Sequence, residues 1–192
     1  MRKLEQKVSV ITGAGSGMGK AIARLFAAEG SKVVATDING ERLESLEKEI
    51  RMAGGEITTL VANMANEADI EKMIQLAVTT YGTLDILVNN AGIMDHMQPV
   101  AEVENDTWEK VMKVNLDGPF KAMRSAVKIF LAKKSGVILN ICSVGGLKGG
   151  VAGAAYTASK HALIGLTKNT GYLYSKSGIR CNAISAGPIK TL

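Results

Sequence analysis

The chain has 192 residues, 46% of them hydrophobic, 21% charged and 4% aromatic, with a net charge of +5. That length suits one large domain with a real core. The Lys and Arg residues are scattered and few aromatics lie between them, which speaks against a nucleic-acid binder. No apolar run approaches membrane-spanning length, and MRKLEQKVSVI lacks the apolar core of a signal peptide, so a cytoplasmic location is expected. Cys142 and Cys181 sit in apolar, strand-like runs and read as buried free thiols; no Cys/His spacing suggests a metal.

Strands and helices alternate along the chain. Lys7–Ile11 reads as a strand, followed by the glycine loop Thr12–Gly19 and a helix over Met18–Glu29 whose Ile22, Leu25, Phe26 and Glu29 recur at the helical period. Gly30 is placed to stop that helix. Lys32–Thr36 is the second strand and ends at Asp37. Glu41–Met52 is a charged amphipathic helix, Glu56–Val61 the third strand, Glu67–Tyr81 a helix closed by Gly82, and Leu84–Val88 the fourth strand.

A long helix is expected from about Asp106 to Leu131, capped by Asn105 or Asp106 and kinked or restarted near Pro119. Gly136–Ile141 is the fifth strand, Ala155–Lys176 a helix and Gly178–Ile184 the sixth strand. Runs such as DILV and GVILNI are apolar on both faces, as a parallel sheet covered on both sides requires. The alternation predicts an α/β, doubly wound, Rossmann-like parallel sheet in a single domain over residues 1–192. His96, His161, Trp108 and the methionines read as packing residues.

The loop TGAGSGMG has glycines at every second position, between a strand and a helix. A phosphate could meet backbone N–H groups and a helix N-terminus there. It does not fit G-x-G-x-x-G from any of its glycines; it fits T-G-x-x-x-G-x-G at Thr12, Gly13, Gly17 and Gly19. On its own such a loop can also be a ligand-free connection. With four further elements in register the chain resembles the short-chain dehydrogenases/reductases in their commonest subtype, from about Lys7 to the last residue. Those elements are NNAG at Asn89–Gly92, Asn115 in KVNLDGPF, Ser143 closing NICS, and Tyr156 with Lys160 in YTASK.

The resemblance implies an oxidoreductase that interconverts a secondary alcohol and a ketone by hydride transfer with a nicotinamide dinucleotide. It implies Asn115, Ser143, Tyr156 and Lys160 as the catalytic set. Tyr156 would give and take the proton. Lys160, four residues on and so one turn away on the same helix face, would favour tyrosinate by its charge and hold the nicotinamide ribose. Ser143 would hydrogen-bond the substrate oxygen. Asn115 would hold a water leading from Lys160 to solvent. Taken singly, each residue also has an ordinary structural reading: a turn, a kink or packing.

Cofactor contacts are expected from Thr12, Gly13, Gly15, Ser16, Gly17, Met18, Gly19, Asp37, Asn63, Met64, Asn90, Ala91, Gly92, Tyr156, Lys160, Gly187, Ile189 and Thr191. Asp37 lies eighteen residues past Gly19. A carboxylate there accepts from the adenosine ribose and repels a 2′-phosphate, and Ala14, Gly15 and Ser16 bring no basic residue. NAD is therefore expected ahead of NADP.

Two departures from the family pattern stand out: Asn63 where an aspartate usually meets the adenine amino group, and Ala186 where a proline usually stiffens the turn before Gly187. An amide oxygen still accepts a hydrogen bond. Family members normally continue through a substrate-covering loop, a helix and a last strand, so this chain reads as truncated after its sixth strand. The resemblance also implies a homodimer or homotetramer packed through the helices near 106–131 and 155–176. Ile93–Val100 and Val144–Val151 are expected to line a small-molecule pocket, with no nucleic-acid or membrane partner. A 3-oxoacyl-carrier-protein reductase using NADPH stays open as an alternative, as does a dinucleotide-binding or oligomer-forming module that is catalytically weak.

Overall fold

The computed structural model describes residues 2–189. Six strands form one parallel sheet: β1 (Val8–Thr12), β2 (Lys32–Asp37), β3 (Glu56–Val61), β4 (Ile86–Asn89), β5 (Gly136–Ile141) and β6 (Ile179–Ile184). Their order is β3-β2-β1-β4-β5-β6, with every neighbouring pair parallel. The chain turns back at the β1/β4 boundary, so the loops after those two strands diverge and leave a crevice at their C-terminal ends.

The helices between the strands are α1 (Gly17–Ala28), α2 (Gly40–Met52), α3 (Glu67–Tyr81), α4 (Asn105–Met112), α5 (Gly118–Lys133) and α6 (Ala154–Tyr174). β1 and β4 are buried at every position, as expected of central strands covered on both faces. On one face Val8, Val10, Val34, Leu87 and Ile138 meet Met73, Ile74, Met123 and Phe130 of α3 and α5. On the other, Ile11, Val33, Ala35 and Val88 meet Ala23, Leu43 and Leu46 of α1 and α2. Alternate residues of each strand feed the two faces, as the period of two dictates.

Gly30 ends α1 as expected. It adopts φ 89°, its N–H reaches Ala27 O, and the Ser31 N–H reaches Phe26 O; this pair of bonds closes a helix around a left-handed residue.

The long helix expected over 106–131 keeps helical backbone throughout and is interrupted only by a change of helix type. A π-helical stretch, Lys113–Asp117, separates α4 from α5, and Pro119 falls in the first turn of α5, where its missing N–H costs nothing. Neither Asn105 nor Asp106 caps α4; Glu104 is the N-cap and makes no side-chain bond.

The packing reading also needs correction. His96 and His161 are exposed, as are Trp108, Met52, Met94 and Met97, while Met64, Met73 and Met123 are buried. Neither cysteine is in a disulfide; Cys142 is buried and Cys181 partly so. No helix among the described residues is long and apolar enough to cross a membrane.

Candidate active site

A cleft of about 790 Å³ lies along the C-terminal ends of the strands. Gly13, Ser16, Gly17, Met18, Asp37, Asn63, Met64, Asn90, Ala91, Gly92, Gly187 and Ile189 line it, which gathers most of the residues expected to touch a dinucleotide. Thr191 lies outside the described residues. A smaller groove of about 420 Å³, bordered by Arg24 and Glu49 near the C-terminal ends of α1 and α2, holds none of the candidate residues.

Thr12, Gly15 and Gly19 are buried behind the cleft wall. The Thr12 hydroxyl accepts the N–H groups of Asn90 and Ala91, each at 3.0 Å. The Asn90 amide donates back to Thr12 O at 2.9 Å and Gly13 O at 3.1 Å. The NNAG turn thus braces the glycine loop through one hydroxyl and one amide. A Cβ on Gly19 would lie 2.0 Å from Gly13 O, and one on Gly13 would lie 2.9 Å from Ala91 Cα. Only glycine permits that approach.

Ser16 is the N-cap of α1, but its side chain makes no cap bond. The N–H groups of the first turn are therefore open to an anion, with the positive end of the helix dipole behind them. Asp37 holds the outer wall. Its carboxylate accepts the Gly15 N–H at 2.9 Å and the Asn39 N–H at 3.0 Å. A dinucleotide fits this donor set: pyrophosphate at α1, a ribose at Asp37. Asn63 is exposed and its oxygen accepts the Ala65 N–H at 2.9 Å, which leaves one lone pair for an adenine amino group.

The candidate catalytic residues meet beyond the Gly92–Ile93 end of the cleft. A Cβ placed on Gly92 would sit 3.4 Å from Asn115 Oδ1 and 3.5 Å from Lys160 Nζ. Lys160 is 4% exposed, and its ammonium donates to Ile141 O at 2.9 Å. It also lies 5.6 Å from the centre of the Tyr156 ring. Burial pushes its pKa below the ordinary lysine value, partly offset by the nearby Cys142.

Ser143 leaves β5 and caps a short 3₁₀ turn, Val144–Gly146, by accepting the Gly145 N–H at 3.0 Å. Gly145 stands between serine and tyrosine: a Cβ there would be 3.4 Å from Ser143 Oγ and 3.5 Å from Tyr156 Cε1. Asn115 is fully buried in the π-helical stretch. Its amide exchanges two bonds with the Ile93 backbone, at 2.8 and 2.9 Å, and reaches Ser159 Oγ at 3.3 Å. Asn115, expected from the sequence to hold a water, is seen here as a clamp between the post-NNAG segment and α6.

Several contributors were not read from the sequence. Arg42, Lys110 and Val114 line the cleft. Asn89 donates to Asn140 at 2.8 Å, and Asn140 to Thr167 at 2.8 Å, a buried row tying β4, β5 and α6 together. An asparagine ending each apolar run, ILVN and VILN, was the available signal.

The whole chain has relatives. A family model described as short chain dehydrogenase matches residues 7–192. A 3beta-hydroxysteroid dehydrogenase 2 from Eggerthella lenta is 44% identical over 98% of this chain and 73% of its own length. A cyclohexanol dehydrogenase from Acinetobacter sp. is 40% identical, over 98% of this chain and 76% of the relative. The crystal structure of levodione reductase superposes with a TM-score of 0.95 at 36% identity, covering 98% of this chain and 74% of that one. Fold, cleft and match agree, and the chain belongs to the short-chain dehydrogenase/reductase family, NAD(P)-binding oxidoreductases that act on hydroxyl and keto groups.

Proposed function

We propose that this chain is an NAD-preferring dehydrogenase that interconverts a secondary alcohol on a carbocyclic ring and its ketone. The observation that carries the reading is the convergence of Ser143, Tyr156 and the buried Lys160 at one end of a dinucleotide-sized cleft. The ring alcohol is supported by two relatives named for hydroxysteroids and cyclohexanol.

In this reading the nicotinamide supplies or accepts the hydride. Ser143 donates to the substrate oxygen and steadies its developing charge. Tyr156 hands that oxygen a proton during reduction and takes it back during oxidation. Lys160, desolvated beside the ring, sets its charge next to Tyr156. Asn115 maintains the route by which Lys160 regains its proton.

Asp37 supports NAD over NADP. Its two oxygens already sit against the Gly15 and Asn39 N–H groups, and a 2′-phosphate brought to the same place would meet a second anion. Exposed apolar side chains on α4 and α5 (Trp108, Phe120, Leu131) and on α6 (Tyr172, Leu173) support a homodimer or homotetramer.

The test is a calorimetric titration of the 192-residue chain with NADH and with NADPH, followed by turnover of cyclohexanol and a 3β-hydroxysteroid. Tighter NADH binding and ring-alcohol oxidation are expected. Equal or reversed cofactor preference would overturn the Asp37 assignment, and NADH binding without any turnover would leave a binding module.

A further inference from the structure

Asp95 is a carboxylate with no exposure to solvent, and nothing in the proposed reaction uses it. It lies three residues past the NNAG turn. One oxygen accepts the backbone N–H of Tyr156 at 2.8 Å, the other that of Gly153 at 3.1 Å and, more loosely, that of Met97 at 3.3 Å. These contacts fall on the first turn of α6, the helix that carries Tyr156 and Lys160.

The N-cap of α6 is Gly153, which has no side chain to offer. A helix whose first-turn N–H groups lack acceptors frays at that end. Here the acceptors come from residues 95–98: Asp95 takes Gly153 and Tyr156, and Gln98 O takes the Ala154 N–H at 2.9 Å. A buried carboxylate is a strong acceptor, and its charge opposes the positive end of the helix dipole.

The surroundings are shaped for this contact. A Cβ on Gly153 would lie 2.5 Å from both Asp95 oxygens, so a side chain there would push the carboxylate away from its partners. His96 and Met97 both adopt left-handed backbone, at φ 55° and 63°, a conformation that costs residues with a Cβ. Two in succession curl the chain back so that the Met97 N–H meets the same carboxylate. At its other end the segment is held by Asn115 through Ile93.

We propose that Asp95 is a positioning residue for the reaction: from outside α6 it fixes the backbone of Tyr156, and so the place of the tyrosine hydroxyl relative to the substrate oxygen. This rests on Tyr156 being the proton-transfer residue. The first turn is where a helix is least restrained, and a displacement of about 1 Å at a reacting group can cost on the order of 10²-fold in rate.

The experiment uses Asp95→Ala, Gly153→Ser and the double variant of the 192-residue chain. It reads kcat with NAD and cyclohexanol, NADH affinity by calorimetry, and amide exchange at Tyr156. Asp95→Ala is expected to lower kcat roughly 10- to 100-fold, leave NADH affinity within about 2-fold because none of the residues lining the cleft hydrogen-bonds to the Asp95 carboxylate, and speed exchange of the Tyr156 amide. Gly153→Ser alone is expected to lower kcat by collision with the carboxylate.

In the double variant the carboxylate is gone and the serine hydroxyl stands as a local N-cap, positioned to accept the Tyr156 N–H. Most of the lost kcat and amide protection is expected to return. Unchanged kcat and unchanged Tyr156 protection in Asp95→Ala would overturn the proposal. So would a parallel loss of NADH affinity, which marks general damage, or a double variant no better than Asp95→Ala. If the parent oxidised no alcohol, the substrate reading would fall, and the exchange measurement would still decide whether Asp95 holds Tyr156.

Discussion

At the dinucleotide end of the cleft, Gly13 and Gly19 bring main chain against main chain, and the Asn90 amide and Thr12 hydroxyl bond only to backbone. At the reactive end, Lys160, Asn115, Asn140 and Asp95 are buried polar side chains, each held by named partners from other elements. The first end fails when volume is added. The second fails when one partner of a buried pair is removed, because the other is left unsatisfied. The two ends therefore answer to different kinds of substitution, and mutations separate them.

The widest separation comes from Tyr156→Phe. It removes one hydroxyl and no packing, so kcat is expected to fall by roughly 10³-fold, within the range for a lost general acid–base, while calorimetric NADH affinity stays within about 2-fold. Parent-like turnover would show that the reactive end does not work through this tyrosine.

Gly19→Ala attacks the other end. Its Cβ would stand 2.0 Å from Gly13 O, so the loop must shift; overpacking of this kind costs about 1–3 kcal/mol. NADH affinity and thermal stability are both expected to drop. An alanine variant that binds NADH like the parent would mean that the loop is looser than its contacts imply.

Asp37→Ser is a smaller change that sharpens the account of the outer wall. Removing the carboxylate is expected to move the NADH/NADPH affinity ratio about tenfold toward NADPH, equivalent to about 1.4 kcal/mol. Calorimetry with both cofactors reads it, and an unmoved ratio would take Asp37 out of cofactor selection.

The smallest effect concerns alkaline pH and the side of the sheet near β5 and β6. Burial pushes the Cys181 thiol up to about 12, and Cys142 and Tyr81 also rise above their ordinary values. Between about pH 9 and about 12 the folded chain keeps thiol protons that the unfolded chain releases, so stability falls as pH rises. Lys160 acts in the opposite sense. Burial lowers its value, so just below the ordinary lysine pKa the unfolded chain binds the extra proton and stability rises with pH there. The thiols are expected to prevail, and Cys181→Ala should flatten the decline in urea midpoint between about pH 8 and about pH 10.5. A decline as steep as the parent's would place its source elsewhere.

Most strand and helix bounds were legible because the core is built from local patterns. Two-sided apolar strands and period-3.6 helices bury the faces that apolar stretches such as VSVIT and ILVN present. Gly30 and Gly82 stop their helices where expected, both with positive φ. The helix break at Lys113–Asp117 was placed only approximately, from Pro119. A π-helical insertion has no residue signature of its own; here it carries Asn115 into the site. The mistaken cap of α4 has a related cause: Asn105 and Asp106 are good caps in isolation, but the chain enters the helix one residue earlier, at Glu104.

The glycine loop, NNAG, the serine and the Y-x-x-x-K pair are contiguous or regularly spaced, so the sequence by itself determined the doubly wound fold and the family, and it named the candidate site residues. The backbone needs at Gly13 and Gly19, and the one-turn spacing of Tyr156 and Lys160, are local properties that any reader of the chain can see. What tertiary structure alone decided is who holds whom. Asp95 reaches Tyr156 across 61 residues, Asn115 reaches Ile93 across 22, and Asn89 reaches Asn140 across 51. A buried polar group must find its partner wherever packing delivers one, and that pairing exists only once the sheet order has brought the ends of β4, β5 and α6 together.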